Sequence, residues 1–429
     1  MSRKLSRRDM LKMSGAGVAA LMLASRGLLG RAQTEQAFNL KYPSWQWGEA
    51  GVGDWNKARA EELQAMYPHI TVEQIQIASR DFETTILTQL AAGDAPDLLP
   101  AFTFMLPRLI SEGLLEPLDA WLAAAPFKDA ILPSVSIAQK NGMTYGLPMT
   151  MSPQGLIYNQ KLMDEAGIQM VPTTVEELYE AAKIIKEKTG AWGYAAATNT
   201  ADVLWSYIVT MQWIIGFGSD WSQPDGTITA NAQPNKDALT WLQKFLNEGL
   251  SPQGFIPQDL RNLFAEGQVA FTIDGPWVLT NVKARNPELY PLTGYAPSPT
   301  PTRAGITGGA FYSIPADAEH KEEAWRLLEI MFSEENQRKY VEETVQVAGT
   351  NVEVSEAFLE ENPWYPNVGD VAAKYAAGIG YLAPGYELYP AEFRKIAIDH
   401  VALIWSGQQS VEDALDQAQR TFEAWAASL

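Results

Sequence analysis

The chain has no cysteine among its 429 residues and only three histidines, His69, His320 and His400. The first absence excludes disulfides, thiol nucleophiles, iron–sulfur clusters and cysteine zinc sites. It also excludes a lipid anchor that needs a cysteine at the cleavage site. No two histidines stand at metal-ligand spacing, so neither zinc nor copper is expected, nor any other cofactor. His69 and His320 read as solvated, and His400, just before Val401, reads as packed. Basic residues are scarce: 32 Lys and Arg against 51 Asp and Glu, a formal net charge of −19. That balance disfavours nucleic acid, whose phosphates need clustered Lys and Arg. It also disfavours adhesion to an anionic membrane. No run approaches the roughly 18 uninterrupted apolar residues of a membrane helix. A phosphate loop, a GxSxG elbow and an EF-hand loop are all missing, and Gly216-Phe217-Gly218-Ser219 is only a fragment of a glycine-rich loop.

What is present begins with Ser6-Arg7-Arg8-Asp9-Met10-Leu11-Lys12, a twin-arginine export pattern. A weakly apolar stretch runs to about Leu29, and Arg31-Ala32-Gln33 reads as a processing site. Such segments are addresses rather than fold elements. Residues 1–32 are therefore read as a signal peptide, and the mature chain as a free periplasmic monomer starting near Gln33. That segment holds seven basic residues and one acidic residue, which leaves 25 basic and 50 acidic residues and a net of −25. A mature chain of roughly 400 residues exceeds one comfortable core, so two domains are expected.

Local patterns suggest an α/β fold. Phe38–Tyr42 reads as a strand, Trp45 to Gly53 as a loop, and Asp54 as the N-cap of a helix that Pro68 ends. Ile70–Ile77 is the next strand, Asp81–Ala92 the next helix, and Asp97–Ala101 a short buried strand. This alternation predicts parallel sheets, with ligands beyond the carboxyl ends of the strands. Thr173 and Glu176 fit a capping box ahead of the stripe Val175, Leu178, Ala182, Ile185. Gln268–Ile273 alternates as a strand and runs into Asp274-Gly275-Pro276-Trp277, which places Trp277 in a helix's first turn. Pro297–Pro301 reads as a loop, about 318–332 as a helix, and a final helix starts near Ser410.

Aromatic residues carry the chemical signal: 14 Trp and 16 Tyr, several beside Gly, Pro, Ser or Asp. A sugar ring has apolar C–H faces and a hydroxyl rim. An indole stacks on the face while Asp, Gln, Asn and Thr bind the rim. Trp45, Trp47 and Trp277, in loops or first turns at strand ends, divide evenly between core and such a shelf.

Several motifs, in order, resemble the extracellular solute-binding proteins of carbohydrate ABC importers, the family typified by maltose-binding protein. They are Ala92-Gly93-Asp94-Ala95-Pro96-Asp97, Ser111-Glu112-Gly113-Leu114-Leu115-Glu116-Pro117-Leu118 and Tyr145-Gly146-Leu147-Pro148. Leu156-Ile157-Tyr158-Asn159, Pro172-Thr173-Thr174, Phe264-Ala265-Glu266-Gly267 and Gly275-Pro276-Trp277 follow, then Gly308-Gly309 and the amphipathic run Ala324–Tyr340.

The resemblance implies two α/β lobes of the periplasmic-binding-protein type joined by a hinge. The chain would cross near Pro148–Ser152, Pro297–Gly308 and Val347–Val352. One lobe would be 33–149 with 307–349, the other 150–306 with 350–429. It implies binding positions at Trp45 and Trp47, at Phe102 and Thr103, and at Thr150, Ser152 and Gln154, where Ser152 replaces an acidic ligand of the family. It implies Asp202 and Trp205, Asp274 and Trp277, and Gly308 and Gly309, with Trp364, Tyr365 and Tyr386 as further shelf. The function implied is capture of a carbohydrate and delivery to an ABC permease in the inner membrane, without catalysis. Two alternatives stay open: a secreted glycoside-active enzyme, since paired carboxylates could meet in space, and a binder of an anionic sugar or glycerol phosphate, using Arg80 or Arg303.

Overall fold

The computed structural model describes residues 36–374 and 382–429. The twin-arginine segment lies outside the described residues. Among the described residues eleven strands form four sheets. Strands β1 (Phe38–Ser44) and β2 (Ile70–Gln76) pair with each other. The order β3–β11–β6 joins Leu99–Phe102, Thr307–Ser313 and Leu147–Pro153. A small hairpin joins β4 (Gln139–Lys140) to β5 (Met143–Thr144). The order β10–β7–β9–β8 joins Thr293–Ala296, Gly155–Asn159, Val269–Asp274 and Trp192–Ala195.

The expected parallel sheets are largely overturned. β11 runs antiparallel to both β3 and β6, and β7 antiparallel to both β9 and β10, while β8 and β9 are parallel. The reason is the chain path. β6 leaves the first of these sheets, and after Gln154 β7 enters the second. β10 and β11 return in the opposite sense, so strands distant in sequence become neighbours. A third segment touches β6 through an Ala348–Thr150 bridge.

The motifs turn out to be joints. Asp97 Oδ2 accepts from Lys41 N at 2.8 Å and Oδ1 from His320 N at 2.9 Å. That single carboxylate ties β1, the approach to β3 and the start of helix Lys321–Met331. Trp55, fully buried, donates its indole N–H to Asn336 O at 3.1 Å and so fixes helix Val52–Met66 on helix Glu334–Thr344. In the second large sheet, helix Val203–Gly216 is buried along nearly its whole length. Trp213 in it donates to Tyr194 Oη at 3.2 Å. Helix Pro390–Trp405 packs on it and on helix Val411–Ala426.

Two capping expectations shift by a few residues. Gly51, not Asp54, caps the first helix, because its φ of 74° suits glycine, and Asp54 sits in the first turn. Thr174, not Thr173, caps helix Val175–Thr189. Its side chain accepts from Glu177 N at 3.2 Å, and Glu177 reaches back to Thr173 N at 2.8 Å. The reciprocal pairing is the expected one with the wrong partners, since Thr173 and Glu176 are each one residue early. His400 is packed, 9% exposed and 3.1 Å from Thr421 Oγ1. His69 and His320 are half-buried rather than fully solvated.

Elements of the two large sheets meet. Arg394 of helix Pro390–Trp405 makes an ion pair with Glu83 of helix Ser79–Ala91, with side chains only 5% and 14% exposed. The Arg394 guanidinium also lies 4.5 Å from the centre of the Phe104 ring. Trp205 Nε1 reaches Ser79 Oγ at 3.5 Å.

Candidate ligand-binding site

A chamber with a cavity volume of ≈ 60 Å³ lies where these strand ends meet. One wall is a stack of rings. Trp45 lies on Phe102 with centroids 3.7 Å apart and planes 16° from parallel, and Phe102 continues onto Phe104 at 5.1 Å. Trp45 is held because Gln76 Nε2 donates to its carbonyl at 3.1 Å and Phe82 meets its ring edge-on at 4.9 Å. The floor is β11 against β6, at Gly308, Gly309, Ala310 and Thr150. Gly309 must be glycine here, because a Cβ would sit 2.1 Å from the Thr150 carbonyl oxygen. Thr150 Oγ1 donates to Gln346 Oε1 at 3.3 Å, which also accepts from Tyr340 Oη at 3.2 Å.

The opposite wall is Trp205 and Trp277, with Leu204 and Ile208. Asp202 caps helix Val203–Gly216 by accepting from Trp205 N at 3.3 Å, and this aims Trp205 at the cleft. Burial raises the Asp202 carboxyl above its usual range. At the end of β9, Asp274 Oδ1 accepts from Gly275 N and from Trp277 Nε1, both at 2.8 Å. Arg261 adds Nε to Oδ2 at 3.0 Å and Nη2 to Oδ1 at 3.4 Å. Three of these bonds fall on Oδ1 and one on Oδ2. Asp274 anchors Trp277 and Arg261 from a recess behind the chamber.

The structure thus brings seven of the expected residues, Trp45, Phe102, Thr150, Trp205, Trp277, Gly308 and Gly309, around one chamber. Trp47 and Asp202 line hollows outside it, and Asp274 lies in its own recess behind. The rest do not reach it. Trp47 packs edge-on against Tyr42 at 4.6 Å and donates to the Tyr42 carbonyl. Thr103 is fully buried, Ser152 Oγ accepts from Val347 N, and Gln154 Oε1 accepts from Gln212 Nε2 at 2.6 Å. Trp364 packs near Tyr295, and Tyr365 Oη donates to Gln346 O at 3.3 Å, behind the chamber wall. Tyr386 lies elsewhere, bonded to Gly226 O at 2.6 Å and packed on Phe393 and Trp425. It belongs to the core under the last two helices. Arg80 lines an outer hollow, and Arg303 lines neither the chamber nor these hollows.

Eight chamber residues escape sequence reading: Gln46, Glu49, Phe104, Leu204, Ile208, Arg261, Ala310 and Gln346. Arg261 follows the buried Leu260 in helix Pro257–Ala265, so its position reads as solvent-facing. The Glu49 side chain makes no hydrogen bond or ion pair among the described residues, while its backbone N–H donates to Gln46 O at 3.0 Å. Burial pushes its carboxyl from 4.5 up to about 7, with Asp274 adding to the rise and Arg261 opposing it. The folded state therefore holds this proton more tightly than the unfolded chain. The group's contribution to stability is complete below pH 4.5 and disappears as pH rises through about 7. Glu49→Gln is accordingly expected to melt higher than the parent at pH 8 and equally at pH 4. Identical shifts at both pH values would show that Glu49 is not desolvated.

Residues 49–338 match the family described as bacterial extracellular solute-binding protein. A putative binding protein of Brucella abortus (strain 2308) is 25% identical over 94% of this chain and 97% of its own. The galactooligosaccharide-binding protein of Bacillus subtilis (strain 168) is 28% identical over 60% of this chain and 61% of its own. Among solved structures, an ABC transporter solute-binding protein from Thermotoga lettingae TMO, bound with alpha-D-tagatose, matches with a TM-score of 0.78 at 22% identity, over 91% of this chain and 100% of that one. Maltose-bound T. maritima MalE3 matches with a TM-score of 0.79 at 20% identity, over 91% and 99%. With a family match over most of its length, and sharing the two-lobe fold of these structures, the chain belongs to the bacterial extracellular solute-binding proteins.

Proposed function

We propose that this protein captures a carbohydrate, a mono- or oligosaccharide or a sugar derivative, between its lobes and delivers it to an ABC permease in the inner membrane. The observation that carries this is the chamber itself. Indoles from both lobes, Trp45 on one side and Trp205 and Trp277 on the other, converge on a space rimmed by Gln46, Thr150 and Gln346. Aromatic faces with a few fixed polar groups suit a sugar's apolar faces and hydroxyl rim. The sugars named for the Bacillus, Thermotoga lettingae and T. maritima proteins support the reading. An enzymatic role has less support. Glycoside hydrolysis uses two carboxyl groups flanking the bond, and Glu49 is the one acidic residue of the chamber lining.

The proposed lobes are 33–149 with 307–349 and 150–306 with 350–429. Ligand shared between them shifts the population toward closure, and the permease recognises the closed form. Calorimetric titration with tagatose, maltose, maltotriose and a galactose oligosaccharide tests the reading. Binding of one of them should raise the melting temperature, by mass action worth about 2.7 kcal/mol at a hundredfold excess over Kd. No heat and no shift across this panel would overturn it.

Export by the twin-arginine route is the second part of the proposal, motivated by Arg7-Arg8. Replacing both with Lys should leave uncleaved precursor in the cytoplasm. Normal appearance of the mature protein outside would remove that route.

A further inference from the structure

The position of Arg261 is unusual for a cleft built of aromatic shelves. Its guanidinium carbon lies 5.0 Å from the centre of the Trp205 ring and 5.6 Å from that of Trp277. A cation held over indoles is attracted by their ring electrons, more so when desolvated. Asp274 fixes it with two hydrogen bonds, and the side chains of both are only 13% exposed. Asn281 Nδ2 donates to the Arg261 carbonyl at 3.0 Å, so the backbone under the side chain is held as well. Part of the stacking surface of both indoles is therefore already taken by a group of the protein itself.

The hollows around the chamber show what this does. One, of ≈ 390 Å³, lies on the side of Trp47, Lys57 and Arg285. Another, of ≈ 240 Å³, lies on the side of Gln76, Arg80 and Asp202. Arg261 and Glu49 line both hollows and the chamber as well. They reach in from opposite lobes and stand between spaces that would otherwise form one continuous trough. The guanidinium carries five N–H donors, of which Asp274 takes two. The others are available to the oxygen of a sugar that ends there.

We infer that Arg261 is the residue that sets ligand length: it closes the stacking trough at Trp205 and Trp277, so the site takes a short carbohydrate of one or two rings whose end is hydrogen-bonded by the guanidinium. This rests on the carbohydrate reading above. A third ring has nowhere to continue unless the arginine leaves Asp274. Removing the side chain beyond Cβ joins the two hollows. Asp274 then still accepts from Gly275 N and Trp277 Nε1, so the variant leaves no carboxylate without a partner.

The test is titration calorimetry of the parent, Arg261→Ala and Arg261→Met with glucose, maltose, maltotriose and maltotetraose, and with the xylose series of the same lengths. In the parent, affinity should peak at one or two units and fall at least tenfold on adding a third. In Arg261→Ala the third unit should cost less than threefold. Arg261→Met, which keeps the bulk of the side chain, should retain part of the penalty. Melting temperatures without ligand show that each variant is folded. Equal affinity for two, three and four units in the parent overturns the inference while leaving the carbohydrate reading intact. So does an unchanged length preference in a folded Arg261→Ala. Absence of binding by every sugar in both series, in the parent and both variants, overturns both.

Discussion

Trp277→Ala is expected to weaken carbohydrate binding at least tenfold. The indole stands at the first position of helix Trp277–Arg285, immediately after the end of β9, and is oriented by the 2.8 Å hydrogen bond from its Nε1 to Asp274. That bond fixes the plane of the ring before any ligand arrives, so little rotamer entropy is lost on binding. Stacking at such a ring is worth roughly 1 kcal/mol beyond area burial, and each 1.4 kcal/mol is a decade in Kd. Adding the apolar area covered takes the expected loss past one decade. Trp277→Phe keeps a ring but gives up the hydrogen bond, so it should fall between parent and alanine variant. Parent-like affinity in a folded Trp277→Ala would remove the residue from the site. A collapse of the ligand-free melting temperature would instead show that the ring serves the core.

The largest expected loss of stability comes from a glycine. A Cβ on Gly349 would lie 1.4 Å from the carbonyl oxygen of Pro148 and 2.4 Å from its carbon. Neither partner is free to retreat. Gly349 O accepts from Leu132 N at 3.0 Å on its other side, and Pro148 lies in β6 opposite Phe311. Gly349→Ala must therefore pry the returning segment off β6, where Ala348 bridges Thr150. Overpacking of this kind costs at least about 2 kcal/mol, read as a lower urea midpoint. Gly369→Ala is the matched control. It lies inside helix Pro366–Lys374 with nothing within 4 Å of the added Cβ. There alanine should stabilise by about 0.5–1 kcal/mol. An unchanged midpoint for Gly349→Ala would mean that the segment has slack.

What the sequence discloses and what it hides follow from the range of each interaction. Helix Val411–Ala426 and its Ser410 cap are legible because the cap, the stripe and the stop all lie within 20 residues. Trp277 is legible for the same reason, since Asp274-Gly275-Pro276 encodes the turn that places it. Arg261 is not, because its role depends on Asp274 across a helix and a strand, and on Trp205, 56 positions away on another helix. Glu49 looks like any acidic surface residue until the fold brings Trp277 and Arg261, more than 200 positions on, to line the same chamber. Strand direction escapes for a related reason. Local alternation reports that strands and helices follow one another, but β11 lies between β3 and β6 only because the chain leaves that sheet for the next and returns.

The buried pair between Arg394 and Glu83 has a kinetic consequence. It joins helix Pro390–Trp405 to helix Ser79–Ala91 near a chamber of ≈ 60 Å³. By the measure of about 10–15 Å³ for each enclosed water, that space admits a few waters and no sugar ring. A sugar ring therefore needs a wider chamber, and parting of this pair is the expected opening step. The observed rate of association should rise with sugar concentration at first and then level off at the rate at which the lobes open, a ceiling that belongs to the protein and is the same for every sugar it accepts.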